Sequence, residues 1–255
     1  MSFEADKSFG ILVVDVGGTH VKFAATSHRY LCEFESGPEL TAAQMAERVL
    51  KLTRKWHYDA VSVGYPGVVR GGRPAREPQN LGRGWVGFDF ASAFNRPVKL
   101  LNDAAMQALG DYRGGKMLFL GLGTGLGSAL IVDDAIVAME LGHLPRHKNH
   151  DYEHYVGNRG RKRMGNKKWR AKVEQVVYEF RNALLPDDIV LGGGNARRLK
   201  VLPPYTRFGD KLAAFRGGVR VWKKGSEGDG IAAMRTHPAS RARTPIASAQ
   251  SIDTP

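Results

Sequence analysis

Three glycine-rich turns, each placed directly after an apolar run, could bind phosphate in this chain of 255 residues. The first turn is residues 17–18 in "DVGGTHVK", the second is residues 121–127 in "GLGTGLG", and the third is residues 192–194 in "IVLGGGN". Glycine allows backbone N–H groups to approach an anion closely. Any one of these turns alone is typical of a tight hairpin, but the three together favour a phosphate-binding cleft.

Two aspartates beside these elements could act on a bound phosphate or on its acceptor. Asp15 precedes the first turn, where a carboxylate repels phosphate unless a cation such as hydrated Mg²⁺ bridges the two. The alternative is that Asp15 bonds its own backbone in the turn. Asp103 follows Asn102 at the start of a predicted helix, so this pair provides either an N-cap or a general base. The sequence leaves both questions open.

A third group of side chains suits a sugar. Glu140 and His143 stand three residues apart in "ELGH", and Glu153 follows ten residues after His143. Together with Asn80 and Asn102 they offer carboxylates, amides and an imidazole, which are groups that bond hydroxyls. Each of these residues taken singly is more typical of an ordinary surface polar group.

The region after "ELGH" raises the question of a metal site. It contains four histidines, His143, His147, His150 and His154. Their spacing matches no standard zinc pattern, and Pro145 interrupts any helix that would align them, so a metal is not favoured over a solvated loop. The single Cys32 excludes an internal disulfide and a cysteine-based zinc site.

The chain is strongly basic, with a formal net charge of +13 and a pI of about 10.0, which favours polyanionic partners. Residues 157–173 hold eight Lys or Arg and no Asp or Glu. Several of these cations crowd the first turns of a helix predicted over 166–185, where each costs roughly 0.3–1 kcal/mol. A bound anion would reverse that cost, so this basic segment is either an anion site or a solvated charged face.

Several classes of protein can be set aside. No apolar run approaches the roughly 18 residues of a membrane helix. The N-terminal "MSFEADKSFG" lacks the pattern of a signal peptide, so we expect a cytoplasmic protein with no membrane partner. No P-loop sequence is present, and Leu126 occupies the third glycine position of the dinucleotide-binding pattern in "GLGTGLG", so a dinucleotide fold is not expected.

The elements that would position these residues follow from hydrophobic periodicity and turn signals. Strands are predicted over 10–16 and 20–26, and Thr41 with Gln44 forms a capping box that opens a helix ending near Trp56. Further strands are "AVSVGY", "PVKLL" and "DDIVLG", and further helices are predicted from residue 103, over 166–185 and over 210–222.

The chain also contains an internal repeat. Shifting residues 11–25 by 106 positions overlays them on the second glycine hairpin, which predicts a duplicated β-hairpin unit. We therefore expect two α/β domains, residues 1–103 and 104–222, with one unit in each. Residues 223–255 are rich in Gly, Ser, Pro, Thr and Arg and are predicted to be a disordered tail.

The ordered set of motifs resembles a known family. "DVGGTHVK", "GYPG", "NLGRGW", "LLNDAAMQALGD", "GLGTGLGSAL", "ELGH" and "IVLGGG" occur in the order found in the ROK sugar kinases, over about residues 10–222. The resemblance implies an α/β, two-domain actin/hexokinase/Hsp70-like (ribonuclease H-like) fold with the active site in the interdomain cleft. It implies that Asp15 attends Mg²⁺ through water and that Asp103 is the catalytic base. Dimers are common in the family, so we expect a homodimer.

The resemblance also implies two sets of binding residues, drawn from both halves of the chain. The sugar-binding set is Asn80, Asn102, Asp103, Glu140, His143 and Glu153. The phosphate-binding set is Gly17, Gly18, Thr19, Lys22, Gly123, Thr124, Gly125, Gly192, Gly193 and Gly194.

One stretch departs from the family pattern. Most members carry a cysteine-rich zinc motif between "ExGH" and the last sugar glutamate, whereas this chain reads "LPRHKNHDY" there, so no structural zinc is expected. Zinc-less, lysine-rich members resemble the polyphosphate glucokinases. The resemblance therefore implies a phosphotransferase that moves a phosphoryl group from inorganic polyphosphate, ATP or both to the 6-hydroxyl of glucose. The residues expected to hold polyphosphate are Arg161, Lys162, Arg163, Lys167, Lys168 and Arg170.

Two other functions compete with this expectation. One is a strictly ATP-dependent ROK hexokinase that acts on glucose or mannose. The other is a non-enzymatic nucleic-acid-binding protein, which the charge alone supports. Trp169 is the only aromatic residue of the basic segment, and its helical spacing is that of a core residue, so base stacking is not favoured. Family repressors carry an N-terminal helix-turn-helix, for which a first strand near Gly10 leaves no room, so no specific nucleic acid is expected.

Overall fold

The structure, a computed structural model, describes residues 9–28, 30–147 and 149–222, and the predicted tail at 223–255 lies outside this part of the chain. The first half forms β1 (Ile11–Val16), β2 (His20–Ala25), β3 (Cys32–Glu35), α1 (Ala42–Thr53), β4 (Ala60–Tyr65), β5 (Val69–Arg70), β6 (Arg73–Pro74), α2 (Phe90–Phe94) and β7 (Val98–Asn102). The second half forms α3 (Asp103–Asp111), β8 (Lys116–Leu122), β9 (Leu126–Val132), β10 (Ala135–Met139), β11 (Pro145–His147), β12 (His150–Asp151), α4 (Tyr152–Val156), α5 (Asn158–Leu184), β13 (Asp188–Gly192), β14 (Thr206–Phe208) and α6 (Ala213–Arg220). No helix in the described ranges has the length and apolar content needed to cross a membrane.

The first sheet has five strands in the order β3-β2-β1-β4-β7. β1 runs antiparallel to β2 and parallel to β4, and β4 runs parallel to β7. Every residue of β4 is buried, as expected for a central strand covered on both faces. The apolar stripe of α1 packs on this sheet, and the predicted capping box is confirmed by the reciprocal bonds between Thr41 and Gln44. The helix ends at Thr53, earlier than predicted.

The second sheet repeats this arrangement, with five strands in the order β10-β9-β8-β13-β14. Its hairpin β8–β9 is antiparallel, and β8 is parallel to β13 just as β1 is to β4. Each sheet is therefore a three-stranded meander with two parallel strands added beside its first strand. This common order agrees with the duplication that the 106-residue shift predicts.

The helix α3 lies between the two sheets. One of its faces packs against the second sheet, while Met106 on another face packs against β1. α6 crosses α3 at close range. Gly110 and Gly217 lie at the crossing, where a Cβ on either residue would collide with the backbone of the other helix. α6 also returns to the first sheet, where Ser62 Oγ donates to Gly218 O at 2.5 Å. The predicted domain boundary after residue 103 stays a prediction, and α6 joins the two ranges that this boundary separates.

The long helix α5 differs from its prediction. It begins at Asn158 rather than near residue 166, and Gly165, with a φ of 77°, interrupts it. This left-handed residue separates a short helical segment at 158–164 from the longer segment that follows. The apolar stripe of the longer segment is confirmed, since Trp169 and Phe180 are buried. α6 is shorter than the helix predicted over 210–222.

Candidate active site

A cavity of about 1080 Å³ opens between the two sheets. The carboxyl ends of β1, β4 and β7 contribute to one wall, and residues that follow β8 and β13 contribute to the other. The wall includes most of the predicted site: Asp15, Gly17, Gly18, Thr19, Lys22, Asn80, Asn102, Asp103, Gly123, Thr124, Gly125, Glu140, His143, Glu153, Arg161, Gly193 and Gly194. Gly192, the last residue of β13, lies outside the wall.

Asp15 lies in the wall of this cleft, one residue before the end of β1. It pairs in register with Lys22 of β2 on one side and with Gly64 of β4 on the other. Burial raises the pKa of the Asp15 carboxyl to about 6, and the positive charge of Lys22 opposes part of that rise. Within the described chain its carboxylate accepts no hydrogen bond from its own turn, so the self-bonded alternative gains no support.

Asp103 begins α3 but does not cap it. The N-cap is Asn102, whose Oδ1 accepts from Ala105 N at 3.0 Å and whose Nδ2 donates to Gly67 O at 3.1 Å. The Asp103 carboxylate accepts from the adjacent Ala104 N at 2.8 Å and lines the cleft. Of the two roles that the sequence leaves open for this pair, the N-cap belongs to Asn102, and Asp103 is left available to a ligand.

The electrostatic setting of Asp103 favours its protonated form. Burial raises the pKa of its carboxyl to about 7, and the negative charges of Asp15 and then Glu140 act in the same direction. The hydrogen bond from Ala104 N opposes part of the rise. A carboxyl group with a pKa near neutrality has the value that suits a general base at physiological pH.

The three glycine turns converge on the cleft. A Cβ placed on Gly18 would lie 3.9 Å from Thr124 Oγ1, so the first and second turns face each other at van der Waals distance. The third turn is fastened to the second, because Asn195 donates from its backbone N to Leu122 O at 2.8 Å and from Nδ2 to Gly123 O at 3.0 Å. Turns that meet in this way can hold one anion between two sets of backbone N–H groups.

The second sheet places carboxylates on its side of the cleft. Glu153 Oε2, on α4, accepts from Leu126 N at 3.2 Å, and the bare Cα of Gly125 leaves the room that this carboxylate fills. Glu140 Oε2 lies 3.6 Å from His143 Nε2. Burial raises the pKa of the Glu140 carboxyl, while the neighbouring His143 opposes the rise and the charge of Glu153 adds to it.

His143 is held between two carboxylates. Its Nδ1 lies 3.7 Å from Asp151 Oδ2, on the side of the ring opposite to Glu140. Asp151 also caps α4, since its Oδ1 accepts from His154 N at 2.8 Å. The same aspartate therefore lies beside His143 and starts the helix that presents Glu153.

The sequence profile of the ROK family matches residues 11–160, which is more than half of the chain. The chain belongs to the ROK family.

Two curated relatives of this ROK protein are named polyphosphate glucokinase. The protein from Mycobacterium leprae (strain TN) is 29% identical over 173 residues, which cover 62% of this chain and 53% of the relative. The protein from Mycobacterium tuberculosis (strain CDC 1551 / Oshkosh) is 31% identical over 152 residues, which cover 54% of this chain and 57% of the relative. The chain thus spans about half the length of the curated relatives it matches.

A solved structure shares the fold. The inorganic polyphosphate/ATP-glucomannokinase from Arthrobacter sp. strain KM superposes with a TM-score of 0.73. The match covers 83% of this chain and 97% of that chain, at 22% sequence identity. It confirms the predicted fold class, an α/β structure of the actin/hexokinase-like kind.

In this ROK protein an arginine fastens the loop that precedes Glu153, where β11 and β12 form a short hairpin. Arg146 Nη2 binds Glu179 Oε1 at 2.9 Å, and its guanidinium lies 5.1 Å from the ring centres of both Tyr152 and Tyr155. These tyrosines flank Glu153 in the sequence of α4, so the arginine fixes the helix that presents this glutamate. Within the described ranges, no three His, Cys, Asp or Glu side chains are arranged to hold a metal ion.

The four histidines of this region have separate surroundings. The rings of His150 and His154 stack in parallel, with centroids 3.7 Å apart. His143 faces Glu140 and Asp151 instead. The described part of the chain therefore gives no support to a metal bound by this group.

The basic segment is only partly in the cleft. Arg161 lines the wall and donates through Nη2 to Asn158 Oδ1 at 2.9 Å, while Asn158 N bonds carbonyls of the second turn. Arg170 Nε donates to Arg198 O at 2.8 Å, and Arg198 itself lines the cleft. The remaining residues predicted to hold polyphosphate lie on α5 outside the cleft wall: Lys162, Arg163, Lys167 and Lys168.

The wall also contains polar residues that sequence reasoning missed, among them Arg76, Gln107, Asn158, Asn195 and Arg198. Two of them carried a local signal. Gln107 follows Asp103 by four residues and so shares its helix face, and Asn195 comes directly after the third turn. Arg76, Asn158 and Arg198 belong to segments whose position depends on tertiary packing, and the sequence around them gives no signal.

Proposed function

We propose that this ROK protein transfers a phosphoryl group from inorganic polyphosphate, ATP or both to the 6-hydroxyl of glucose. The observation that carries the proposal is the setting of Asp103, a carboxyl group with a pKa of about 7 that lies free of the N-cap role in the cleft where the glycine turns converge. The names of the relatives support both substrates, since they are called polyphosphate glucokinase and inorganic polyphosphate/ATP-glucomannokinase.

In the proposed reaction, Asp103 accepts the proton of the sugar hydroxyl as its oxygen bonds to the terminal phosphorus of the donor. The bond from that phosphorus to the bridging oxygen breaks, and the shortened donor leaves. Backbone N–H groups of the glycine turns bond the phosphate oxygens, and Glu140, His143 and Glu153 hold other sugar hydroxyls. Catalysis is then mostly positioning and charge stabilisation. Closing the cleft would exclude water, so that phosphate passes to the sugar.

Asn102 has a narrower role in this proposal than the family resemblance implies. Its side chain is only slightly exposed, at 7% for the residue, and it already bonds Ala105 N and Gly67 O. One N–H of its amide and one oxygen lone pair remain for a sugar. Its main contribution is to take the N-cap position and thereby to hold Asp103 toward the ligand.

The residues around Asp15 suit Mg²⁺. Asp15 and Asp103 are both partly buried, and the charge of Asp15 raises the pKa of Asp103, so a cation near them would relieve their repulsion. Carboxylate oxygens are the ligands that Mg²⁺ prefers, one or two at a time with water in the remaining positions. When bound, Mg²⁺ neutralises charge on the donor phosphates. Lys22, beside Asp15 in the cleft wall, adds a fixed positive charge there.

The proposed donor is a long polyanion because cations continue from the wall onto α5. Arg161 and Arg198 line the cleft next to the second and third turns. Arg170 bonds the carbonyl of Arg198, and Lys167 and Lys168 are exposed on the same helix. We propose that these side chains bind the part of a polyphosphate chain beyond the reacting phosphate. Exposed contacts of this kind weaken with salt, since the Debye length is about 8 Å at physiological ionic strength.

The deciding experiment is a donor panel with glucose as acceptor. ATP, tripolyphosphate and long-chain polyphosphate are compared for the wild-type protein, for Lys167→Glu/Lys168→Glu, and for the control Lys51→Glu/Lys55→Glu, which makes the same charge change at exposed positions of α1 and its C-terminal end. We expect the first variant alone to raise the KM for long polyphosphate several-fold, with tripolyphosphate unaffected. Turnover with ATP alone would replace the polyphosphate proposal by a strictly ATP-dependent hexokinase. Absence of glucose phosphorylation with every donor would overturn the kinase.

A further inference from the structure

A second cavity lies where α3 ends and α6 begins, apart from the cleft. Its volume is about 810 Å³, and six cationic side chains but only two carboxylates line it. The cations are Arg113, Arg197, Arg207, Lys211, Arg216 and Arg220. No residue assigned above to the sugar, to the donor or to Mg²⁺ belongs to this wall.

Three of these arginines have fixed positions because they cap the carboxyl end of α3. Arg207 and Arg220 each donate to a carbonyl oxygen of the helix end at 2.7 Å, and Arg216 Nε donates to another at 3.2 Å. Cations at this end complement the helix dipole, so part of the cluster has a structural explanation. These bonds also hold three planar guanidinium groups around one opening before any ligand arrives.

The remaining three cations have no such explanation. Arg113, Arg197 and Lys211 are exposed, and their side chains make no hydrogen bond or ion pair with another residue in the described ranges. The capping arginines also keep unused donors: Nη1 of Arg207, and Nε and Nη2 of Arg220, bond no described residue.

The two carboxylates of the cavity are already engaged. Asp111 accepts from Asp210 N at 3.2 Å and faces Arg216 Nη2 at 3.3 Å. Asp210 accepts from Leu212 N at 2.7 Å and faces Arg216 Nη1 at 3.3 Å. Arg216 therefore pairs with both acids, and Arg207 pairs with a third carboxylate, Asp188 Oδ2, at 2.7 Å. In the described ranges the other four cations of the wall form no ion pair with a carboxylate: Arg113, Arg197, Lys211 and Arg220.

We propose that this cavity binds a small anion that carries phosphate groups, at a site separate from the cleft. Guanidinium forks match the paired oxygens of a phosphate, and groups already fixed by the protein lose little freedom when they bind it. Two sources share this chemistry, a short inorganic phosphate chain and the phosphate ester of a sugar. The proposal does not rest on the kinase function, because it concerns binding alone.

The test is titration calorimetry without Mg²⁺, with pyrophosphate in one arm and glucose 6-phosphate in the other. We expect two classes of site in the wild-type protein. Arg113→Glu/Lys211→Glu should weaken one class by about tenfold or more, since the variant loses two cation–anion contacts and adds repulsion at both positions. Lys51→Glu/Arg54→Glu on α1 and its C-cap makes the same change of net charge and should keep both classes. Whichever of pyrophosphate and glucose 6-phosphate binds this class more tightly identifies the source of the anion.

The proposal would be overturned if Arg113→Glu/Lys211→Glu weakened no class of site. A single class that this variant weakens would keep the cavity as a site and would count only against binding in the cleft. Equal weakening by the control pair would also overturn it, because the effect would then come from the net charge of the whole protein. If the reversed variant does not fold, Arg113→Gln/Lys211→Gln is used, with a smaller expected loss of the same class. Slower amide exchange of residues 109–113 with pyrophosphate locates the site, and unchanged exchange there contradicts it. Loss of glucose phosphorylation with both classes intact would count against the kinase only.

Discussion

The two glycine turns at the centres of the two sheets share a scaffold and differ in charge. Both β1–β2 and β8–β9 are antiparallel hairpins with a parallel strand beside them, and a shift of 106 residues places Gly17 on Gly123. The same shift places Asp15 on Gly121. The first copy therefore brings a carboxylate to the cleft at a position where the second copy has no side chain.

This difference divides the proposed chemistry between the sheets. In the first sheet, Asp15 lies near the end of β1, and β7 leads directly into Asp103. Burial raises the pKa of both carboxyl groups toward neutrality. The second sheet adds the uncharged N–H groups of its turn, while its acids, Glu140 and Glu153, lie in the part of the wall assigned to the sugar. Under this proposal the backbone binds phosphate oxygens in both copies, whereas the metal and the transferred proton use charged groups of the first copy only.

The largest effect is expected from replacing Asp103, the proposed general base. Asp103→Asn keeps the shape of the side chain and removes the proton acceptor, so we expect kcat to fall by roughly 10²–10⁴-fold. Glucose affinity should change little, because the amide still bonds a hydroxyl. Rates of glucose 6-phosphate formation and calorimetry with glucose measure the two quantities. Asp134→Asn, an exposed carboxylate in the β9–β10 turn, is the matched control. Turnover retained by the Asp103 variant would refute the assignment of the base.

Asp15→Asn tests whether the charge of the first turn acts through a metal. Because Asp15 is proposed to hold Mg²⁺ through water, we expect a loss of about 10–100-fold in kcat/KM and a higher Mg²⁺ requirement. In the metal-free protein the variant should also lower the pKa of Asp103, since the charge of Asp15 is one cause of its rise. Carboxyl ¹³C NMR of Asp103 follows that pKa without any need for activity. An unchanged titration of Asp103 would show that the two carboxylates do not interact.

The features that local sequence determines were predictable. Alternating apolar residues and glycine turns predicted both hairpins, and the capping box predicted the start of α1. The sequence could not choose between the two roles of Asn102 and Asp103, because both residue types cap helices well. Only the backbone geometry, in which Ala105 N bonds Asn102 Oδ1, assigns the cap.

The features that depend on tertiary packing were not predictable. The basic side chains of residues 157–173 look equivalent along the sequence, but the left-handed Gly165 divides their helix, and Arg161 is the member that reaches the cleft. Arg198 reaches it from a segment nearly thirty residues beyond Arg170, through the 2.8 Å bond between the two. A charge count along the chain contains no information about such docking.

A smaller effect, on the KM for glucose, should distinguish two glycines of the second turn, Gly123 and Gly125. A Cβ at Gly125 would collide with the Glu153 carboxylate, whereas a Cβ at Gly123 would meet no atom within 4 Å. Gly125→Ala should therefore displace Glu153 and raise the KM for glucose by about tenfold, the scale of one lost hydrogen bond to a charged group. Gly123→Ala is the matched control and should leave the KM for glucose unchanged. Equal KM values for glucose in the two variants would mean that Glu153 does not bind the sugar.

The smallest expected effect is on stability, and it uses the same aspartate. The folded pKa of Asp103 is about 7, whereas an unfolded aspartate titrates near pH 4. Between these values the folded chain holds more protons than the unfolded chain, so this group lowers the free energy of unfolding as the pH rises from about 4 to about 7. Asn at this position carries no charge at any of these pH values. The two pKa values set an upper bound of about 3 kcal/mol, and solvent screening of this partly exposed carboxyl reduces it. Asp103→Asn should therefore stabilise the metal-free protein by about 1 kcal/mol more at pH 8 than at pH 4.5.

Urea unfolding at the two pH values, with chelator present, measures this difference, and Asp134→Asn should show no such pH dependence. The result bears on the comparison of the two turns. If Asp103→Asn stabilises the protein, the carboxylates beside the first turn lower the free energy of unfolding. The second copy has Gly121 at the position of Asp15, so it brings no carboxylate to the cleft at that position and has no such cost. An Asp103 variant that is equally stable or less stable at pH 8 would show that the surrounding dipoles already compensate the buried charge, and the proposed need for a cation beside Asp15 would lose its support.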